Sequence, residues 1–142
     1  MFYISHRGNL NGINQDMENN PEYLNNAITK GFHVEVDVRV FKDKIYLGHD
    51  EPQFKITNDF LLRKEIWCHA KDINALQILK KIQAIYFWHQ NDDYTLTSNG
   101  YFWTYPGKTL VKNSICVLPE TSNYEDIKCM GICSDNIEKY IK

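Results

Sequence analysis

The chain lacks most of the features that mark membrane, secreted and nucleic-acid-binding proteins. No apolar run among its 142 residues approaches the length of a bilayer span. The opening MFYISHRGN has no basic segment followed by a long apolar stretch, so no signal peptide is expected. Charge of one sign is also missing. Sixteen basic and eighteen acidic residues leave a net charge of −2. That balance argues against a broad nucleic-acid footprint, although a local pocket can still be basic. There is no internal repeat, low-complexity tract or Pro/Ser-rich linker, and residues 1–142 read as a single domain. The cysteines number four. Cys68 and Cys116 lie in apolar runs, where a thiol is usually a small buried hydrophobe. Cys129 and Cys133 have no second matching pair of ligands. Reduced thiols in a cytoplasmic protein are the expectation.

What the chain does have is aromatics, with nine Tyr, seven Phe and three Trp, and five histidines. Four of those histidines close short apolar runs: FYIS-His6, IYLG-His49, IWC-His69 and AIYFW-His89. Strands are expected at 2–6, 32–40, 44–49, 65–71, 84–90, 101–106, 114–119 and 131–135. PEYLNNAITK reads as a helix with Pro21 in its first turn and Gly31 as its stop. Residues 57–63 suggest a short helix. INALQILKKIQ is the strongest helix, capped by Asp72 and carrying Ile73, Leu76, Leu79 and Ile82 at helical spacing. Only VFKDK separates the second and third strands, too little for the usual helical crossover. The fold class is therefore α/β: a minimal TIM-like (β/α)8 barrel with several helices shortened or missing. Such barrels ordinarily take about 200 residues or more. An open α/β sheet with fewer strands is the alternative. In both, functional groups collect at the carboxyl ends of parallel strands.

HVEVDV sets Glu35 and Asp37 two apart, on one face of an extended strand. Val34, Val36 and Val38 fill the other face, so both faces read as covered. Two hard oxygen ligands buried together call for a cation such as Mg²⁺ or Ca²⁺. His6-Arg7-Gly8 combines a proton carrier, a bidentate phosphate clamp and a flexible backbone position. His49-Asp50 offers a second proton carrier. Two histidines facing one phosphorus allow one to accept a proton while the other donates. His33 begins its strand and is assigned no role. For His89, Trp103 and Tyr105, lining a site and plain packing are equally open readings. The loop NLNGINQDMENN reads either as a lid or as a disordered stretch.

The segments His6-Arg7-Gly8, Glu18-Asn19-Asn20, Ala27-x₃-Gly31, Glu35-x-Asp37, Lys42-Asp43-Lys44 and His49-Asp50, in that order, resemble the glycerophosphodiester phosphodiesterase family. Its pattern runs H-R-G, E-N-T, A-x₃-G, E-x-D, K-D-G and H-D. The clear likeness covers roughly residues 2–50. It implies a barrel of the phosphatidylinositol-phospholipase-C-like type. It also implies His6 and His49 as acid and base, Arg7 on phosphate, and Glu35 and Asp37 on a divalent metal. Further on, His69-Ala70-Lys71 stands where the family has E-x-K. Lys71 carries over as a phosphate ligand, and either His69 or Glu120 supplies the third metal ligand. GICSD is similar to the family's closing strand. The expected activity is hydrolysis of a small glycerophosphodiester-like molecule. A lyase or phospholipase giving a cyclic phosphate, and a non-catalytic phosphoryl-binding module, are the alternatives. Short connections leave apolar surface that a second copy could cover in a homodimer.

Overall fold

The computed structural model of the chain describes residues Met1–Ile141. Its strands are β1 (Phe2–His6), β2 (His33–Phe41), β3 (Lys44–Leu47), β4 (Phe54–Lys55), β5 (Ile66–Ala70), β6 (Tyr86–Trp88), β7 (Tyr94–Leu96), β8 (Phe102–Thr104), β9 (Ser114–Val117) and β10 (Gly131–Ser134). The helices are α1 (Pro21–Thr29), α2 (Asn58–Leu61) and α3 (Ile73–Ile82), with 3₁₀ turns at Pro119–Thr121 and Ile137–Tyr140. Seven strands run parallel in the spatial order β6-β5-β2-β1-β10-β9-β8. β7 lies antiparallel on the outer edge of β8.

This architecture corrects the expectation of a (β/α)8 TIM-like barrel. The molecule is mostly sheet, curled into a half-barrel, and carries three short helices instead of an outer ring. Two local causes stand out. Lys42 and Asp43 both take left-handed backbone (φ 48° and 60°), the requirement of a two-residue hairpin turn whose twist matches its strands. The segment expected as a third barrel strand therefore folds back as β3, antiparallel to β2. Secondly, the stretch between β6 and β8 makes β7, an antiparallel strand not foreseen from the sequence. The edges β6 and β7 meet through side-chain hydroxyls and one backbone bond. Thr95 Oγ1 donates to the Trp88 carbonyl at 2.7 Å, and Ser98 Oγ accepts from the Tyr86 N–H at 2.9 Å. The Ser98 N–H donates to the Tyr86 carbonyl at 2.8 Å.

Strand alternation sorts the core into two layers. On the convex face Val34, Val36, Val38, Ile66, Cys68 and Ala70 pack under Leu24 and Ala27 of α1, Leu61 of α2, and Ala75 and Leu79 of α3. Inside the curl Ile4, Trp67, Phe87, Trp103, Ile115, Val117 and Cys133 form a second, aromatic-rich layer. Each fully buried large aliphatic or aromatic side chain is worth about 1.5–3 kcal/mol. This inner layer fills the curl beneath its carboxyl-terminal rim. Asp72 ties α3 to the sheet: Oδ1 caps the helix through the Ala75 N–H at 2.8 Å, and Oδ2 accepts from the Val40 N–H at 3.0 Å. All four cysteines are unpaired, and Cys68, Cys116 and Cys133 are buried.

The strained hairpin turn can be relieved. Left-handed backbone costs an ordinary residue roughly 1–2 kcal/mol. Replacing Lys42 by Asn together with Asp43 by Gly should raise stability by about 1 kcal/mol. In urea titration the midpoint should rise with the slope unchanged.

Candidate functional site

The parallel register brings the chemistry-bearing residues to one rim. His6 lies beside Glu35 across the β1–β2 pair, and Asp37 lies beside His69 across the β2–β5 pair. A cavity of about 460 Å³ opens there, walled by His6, Arg7, Glu35, His49, His69 and Lys71 on one side and by Trp88, His89, Tyr105 and Leu118 on the other. His49 belongs to this wall although β3 is not a barrel strand. The β2–β3 hairpin extends β2 beyond its pairing with β5 and then turns back. The Gly48 N–H then donates to the Asp37 carbonyl at 3.0 Å. Arg39 Nε donates to the Gly48 carbonyl at 3.0 Å, and its terminal nitrogen donates to the His49 carbonyl.

Asp37 is the centre of the charge network and is fully buried. Its Oδ2 sits 2.9 Å from Arg7 Nε and accepts from Asn19 Nδ2 at 3.0 Å. Its Oδ1 faces His69 Nδ1 at 3.4 Å and Lys71 Nζ at 3.8 Å. Burial alone would favour the neutral acid. The His69, Arg7 and Asn19 contacts outweigh it and hold the Asp37 carboxyl well below the usual carboxylate range. Glu35, 2 % exposed, is pushed the other way by burial and by the negative charge of Asp37.

Each candidate proton carrier has an aspartate behind it. His6 Nδ1 is 2.7 Å from Asp135 Oδ1, and His49 Nδ1 is 2.8 Å from Asp50 Oδ1. A carboxylate only accepts, so Nδ1 carries the proton in each ring. His6 Nε2 then points toward Glu35, 3.8 Å from Oε2. Burial lowers the pKa of His6, but the Asp135 hydrogen bond and nearby Glu35 prevail and raise it above the usual value. Asp135 is lowered in turn, the His6 bond outweighing its burial.

The residues fit a divalent cation. Glu35, Asp37 and His69 each offer a ligand atom, and the three lie within 4.8 Å of one another. Glu35 Oε2 and Asp37 Oδ1 are buried and make no hydrogen bond, their nearest cationic groups standing 3.4–3.8 Å away, which leaves both oxygens able to ligate an ion. Glu120, offered by the sequence as a third ligand, is not in this group. It is exposed, and its Oε1 accepts from Ser134 Oγ at 2.9 Å and the Asp135 N–H at 2.8 Å. The cause is local: Leu118 turns left-handed (φ 44°) into the 3₁₀ turn, carrying Glu120 to the end of β10.

Several groups outside the original set prove integral. Asn19 clamps Asp37 twice, its Oδ1 also accepting the Asp37 N–H at 2.9 Å. Glu18 takes Arg7 at 3.2 Å and Asn9 at 2.8 Å, and Asn9 also donates to Asp135 at 2.8 Å. The 9–20 loop is thus pinned beneath the rim. Glu18-Asn19-Asn20 at the start of α1 was the available signal. Trp103, 2 % exposed, stacks on Phe87 within the packed layer, whereas Tyr105 stacks on His89 at 3.5 Å between centroids. His33 accepts from Trp67 Nε1 at 3.0 Å, at the opposite end of the strands.

Compared with protein-family models, curated proteins and solved structures, the chain matches none. No helix among the described residues is long and apolar enough to cross a membrane.

Asp135→Asn tests the support of His6. Loss of a charge-assisted bond should cost about 1.5–3 kcal/mol in chemical denaturation. The nitrogen NMR shifts of the His6 ring should move toward a mixture of tautomers.

Proposed function

We propose that this chain is a metal-dependent phosphodiesterase acting on a glycerophosphodiester-like small molecule by histidine acid/base catalysis. One observation carries the reading: two imidazoles, each hydrogen-bonded to an aspartate, line one cavity with Arg7, Lys71, His69 and Glu35, and the fully buried Asp37 lies within ligand distance of the last two. The ordered likeness of residues 2–50 to the glycerophosphodiester phosphodiesterase family supports it.

Glu35, Asp37 and His69 would hold the divalent cation, which when bound lowers the pKa of an attacking hydroxyl or water and offsets phosphoryl charge. Arg7 and Lys71 hold the phosphate oxygens and stabilise the charge that builds on them. Lys71 Nζ is 3.8 Å from Asp37 Oδ1, so it can turn from that carboxylate toward a phosphate. One of His6 and His49 accepts the proton of the attacking oxygen at Nε2. The other donates its Nε2 proton to the leaving oxygen as the ester bond to phosphorus breaks. Buried Asp135 keeps the His6 ring in the required tautomer, and exposed Asp50 favours the same tautomer at His49. With four unpaired cysteines, a reducing cytoplasmic setting suits this reading.

A second reading has its own observation. Arg7 and Lys71 already pair with Asp37, so the site is close to neutral as it stands. A module that simply holds a phosphorylated ligand would use the same residues.

Turnover decides between them. A panel of bis-p-nitrophenyl phosphate, glycerophosphocholine and a glycerol-linked nucleotide should be cleaved with an added divalent ion. His6→Ala and His49→Ala should each lower the rate by about 10²–10⁴ with unchanged circular dichroism. Parental rates in His49→Ala would end the catalytic reading. Phosphate binding without turnover under any ion would establish the module. Phosphorus NMR separates a monoester product from a cyclic phosphate.

A further inference from the structure

The cation site proposed above differs from an all-oxygen one in a single ligand, and that ligand is held with unusual definition. His69 Nε2 lies 3.2 Å from the His89 carbonyl oxygen. A carbonyl can only accept, so Nε2 carries a proton, and Nδ1, which faces Asp37 Oδ1 at 3.4 Å and Glu35 Oε1 at 3.8 Å, is the nitrogen that would give up its proton to a cation bound between those oxygens. The ring cannot easily swing away. It is stacked on Phe87 with centroids 5.1 Å apart and planes 16° from parallel, and its side chain is 12 % exposed. An imidazole whose far nitrogen donates to a backbone carbonyl, fixing orientation and tautomer, is the usual outer support of a metal-binding histidine. Two buried oxygens that make no hydrogen bond, Glu35 Oε2 and Asp37 Oδ1, belong to the same cluster.

We infer that the Glu35–Asp37–His69 cluster is built for a first-row transition ion such as Mn²⁺, Fe²⁺, Co²⁺ or Zn²⁺ in preference to Mg²⁺ or Ca²⁺, with His69 Nδ1 as the selecting ligand and the His89 carbonyl as its positioning group. The inference rests on the proposed cation site but not on the reaction. Mg²⁺ and Ca²⁺ take oxygen ligands and gain little from imidazole, whereas the later first-row ions accept one nitrogen with two carboxylates readily. Replacing an oxygen ligand by imidazole also leaves the cluster one negative charge poorer, which weakens its hold on a hard cation further.

The test is binding by the metal-stripped full chain, read by calorimetry with Co²⁺, Zn²⁺, Mn²⁺, Mg²⁺ and Ca²⁺ added alone. Almost any nitrogen-oxygen site ranks Zn²⁺ above Mg²⁺ to some degree, so the deciding quantity is how the ratio responds to the ligand. His69→Glu, which restores an oxygen donor, should reduce the Co²⁺:Mg²⁺ affinity ratio about tenfold or more. A ratio within twofold of the parent overturns the inference. Nitrogen NMR of the unaltered protein gives an independent reading if that variant does not fold. Diamagnetic Zn²⁺ should shift His69 Nδ1 as a bound nitrogen while Nε2 keeps its proton. An unshifted Nδ1, or coordination through Nε2, overturns it. Tight Mg²⁺ or Ca²⁺ binding with diester turnover would sink this inference and leave the phosphodiesterase reading standing. No ion bound at all would sink the metal requirement of both.

Discussion

Everything at the rim depends on one buried carboxylate. Asp37 has no exposed surface, yet it gathers Arg7 from just past β1, Asn19 from the loop before α1, His69 from β5 and Lys71 from just past β5. A lone carboxylate in such a place would be driven to its neutral form. Its partners reverse that, and each is fixed in position by doing so. The charge is costly to bury and tightly compensated, so the end of β1, the loop before α1 and the end of β5 are bound to β2 in a common geometry. Glu35, two residues earlier on the same face, lacks that degree of compensation. Burial and the neighbouring negative charge push its pKa upward. The two carboxylates, two residues apart on one strand face, are therefore held in opposite electrostatic states.

The parallel sheet makes this gathering feasible. Because β1, β2, β5, β6, β8, β9 and β10 share a direction, their carboxyl ends form one rim above a packed aromatic layer. Trp67, Phe87 and Trp103 fill the space below, so the cavity has a floor and polar groups converge only at the top. The rim does not require an outer ring of helices. Three short helices cover the valine-rich convex face, and that suffices for the strands that carry the carboxylates.

Much of this was legible in the residues. The V-E-V-D-V alternation announced a strand covered on both faces with two carboxylates inside, and the histidines closing apolar runs announced strand ends. Less was legible about direction. A strand's pattern does not say whether its neighbour runs parallel, and the hairpin depends on left-handed backbone at Lys42 and Asp43, neither of which is glycine. β7 escaped notice because Asn91-Asp92-Asp93 and the polar residues after Leu96 look like a loop. Its pairing comes from β8 and not from an apolar face of its own. Glu120 lies apart from the Glu35–Asp37–His69 group because a left-handed leucine redirects the chain just before it. Asp135 stands visibly at a strand end, but its pairing with His6 spans 129 positions and requires the parallel register of β1 on β10.

The two aspartate-backed imidazoles are mounted differently. His6 is the last residue of a strand flanked on both sides by parallel neighbours, and its side chain is 14 % exposed. His49 follows a hairpin arm that stands clear of the curl, its side chain 42 % exposed and tethered chiefly through Arg39 and one backbone bond to Asp37. One jaw is therefore anchored in the frame and the other hangs from a short lever. A change in the arm would displace the second ring while the first keeps its place between two strands.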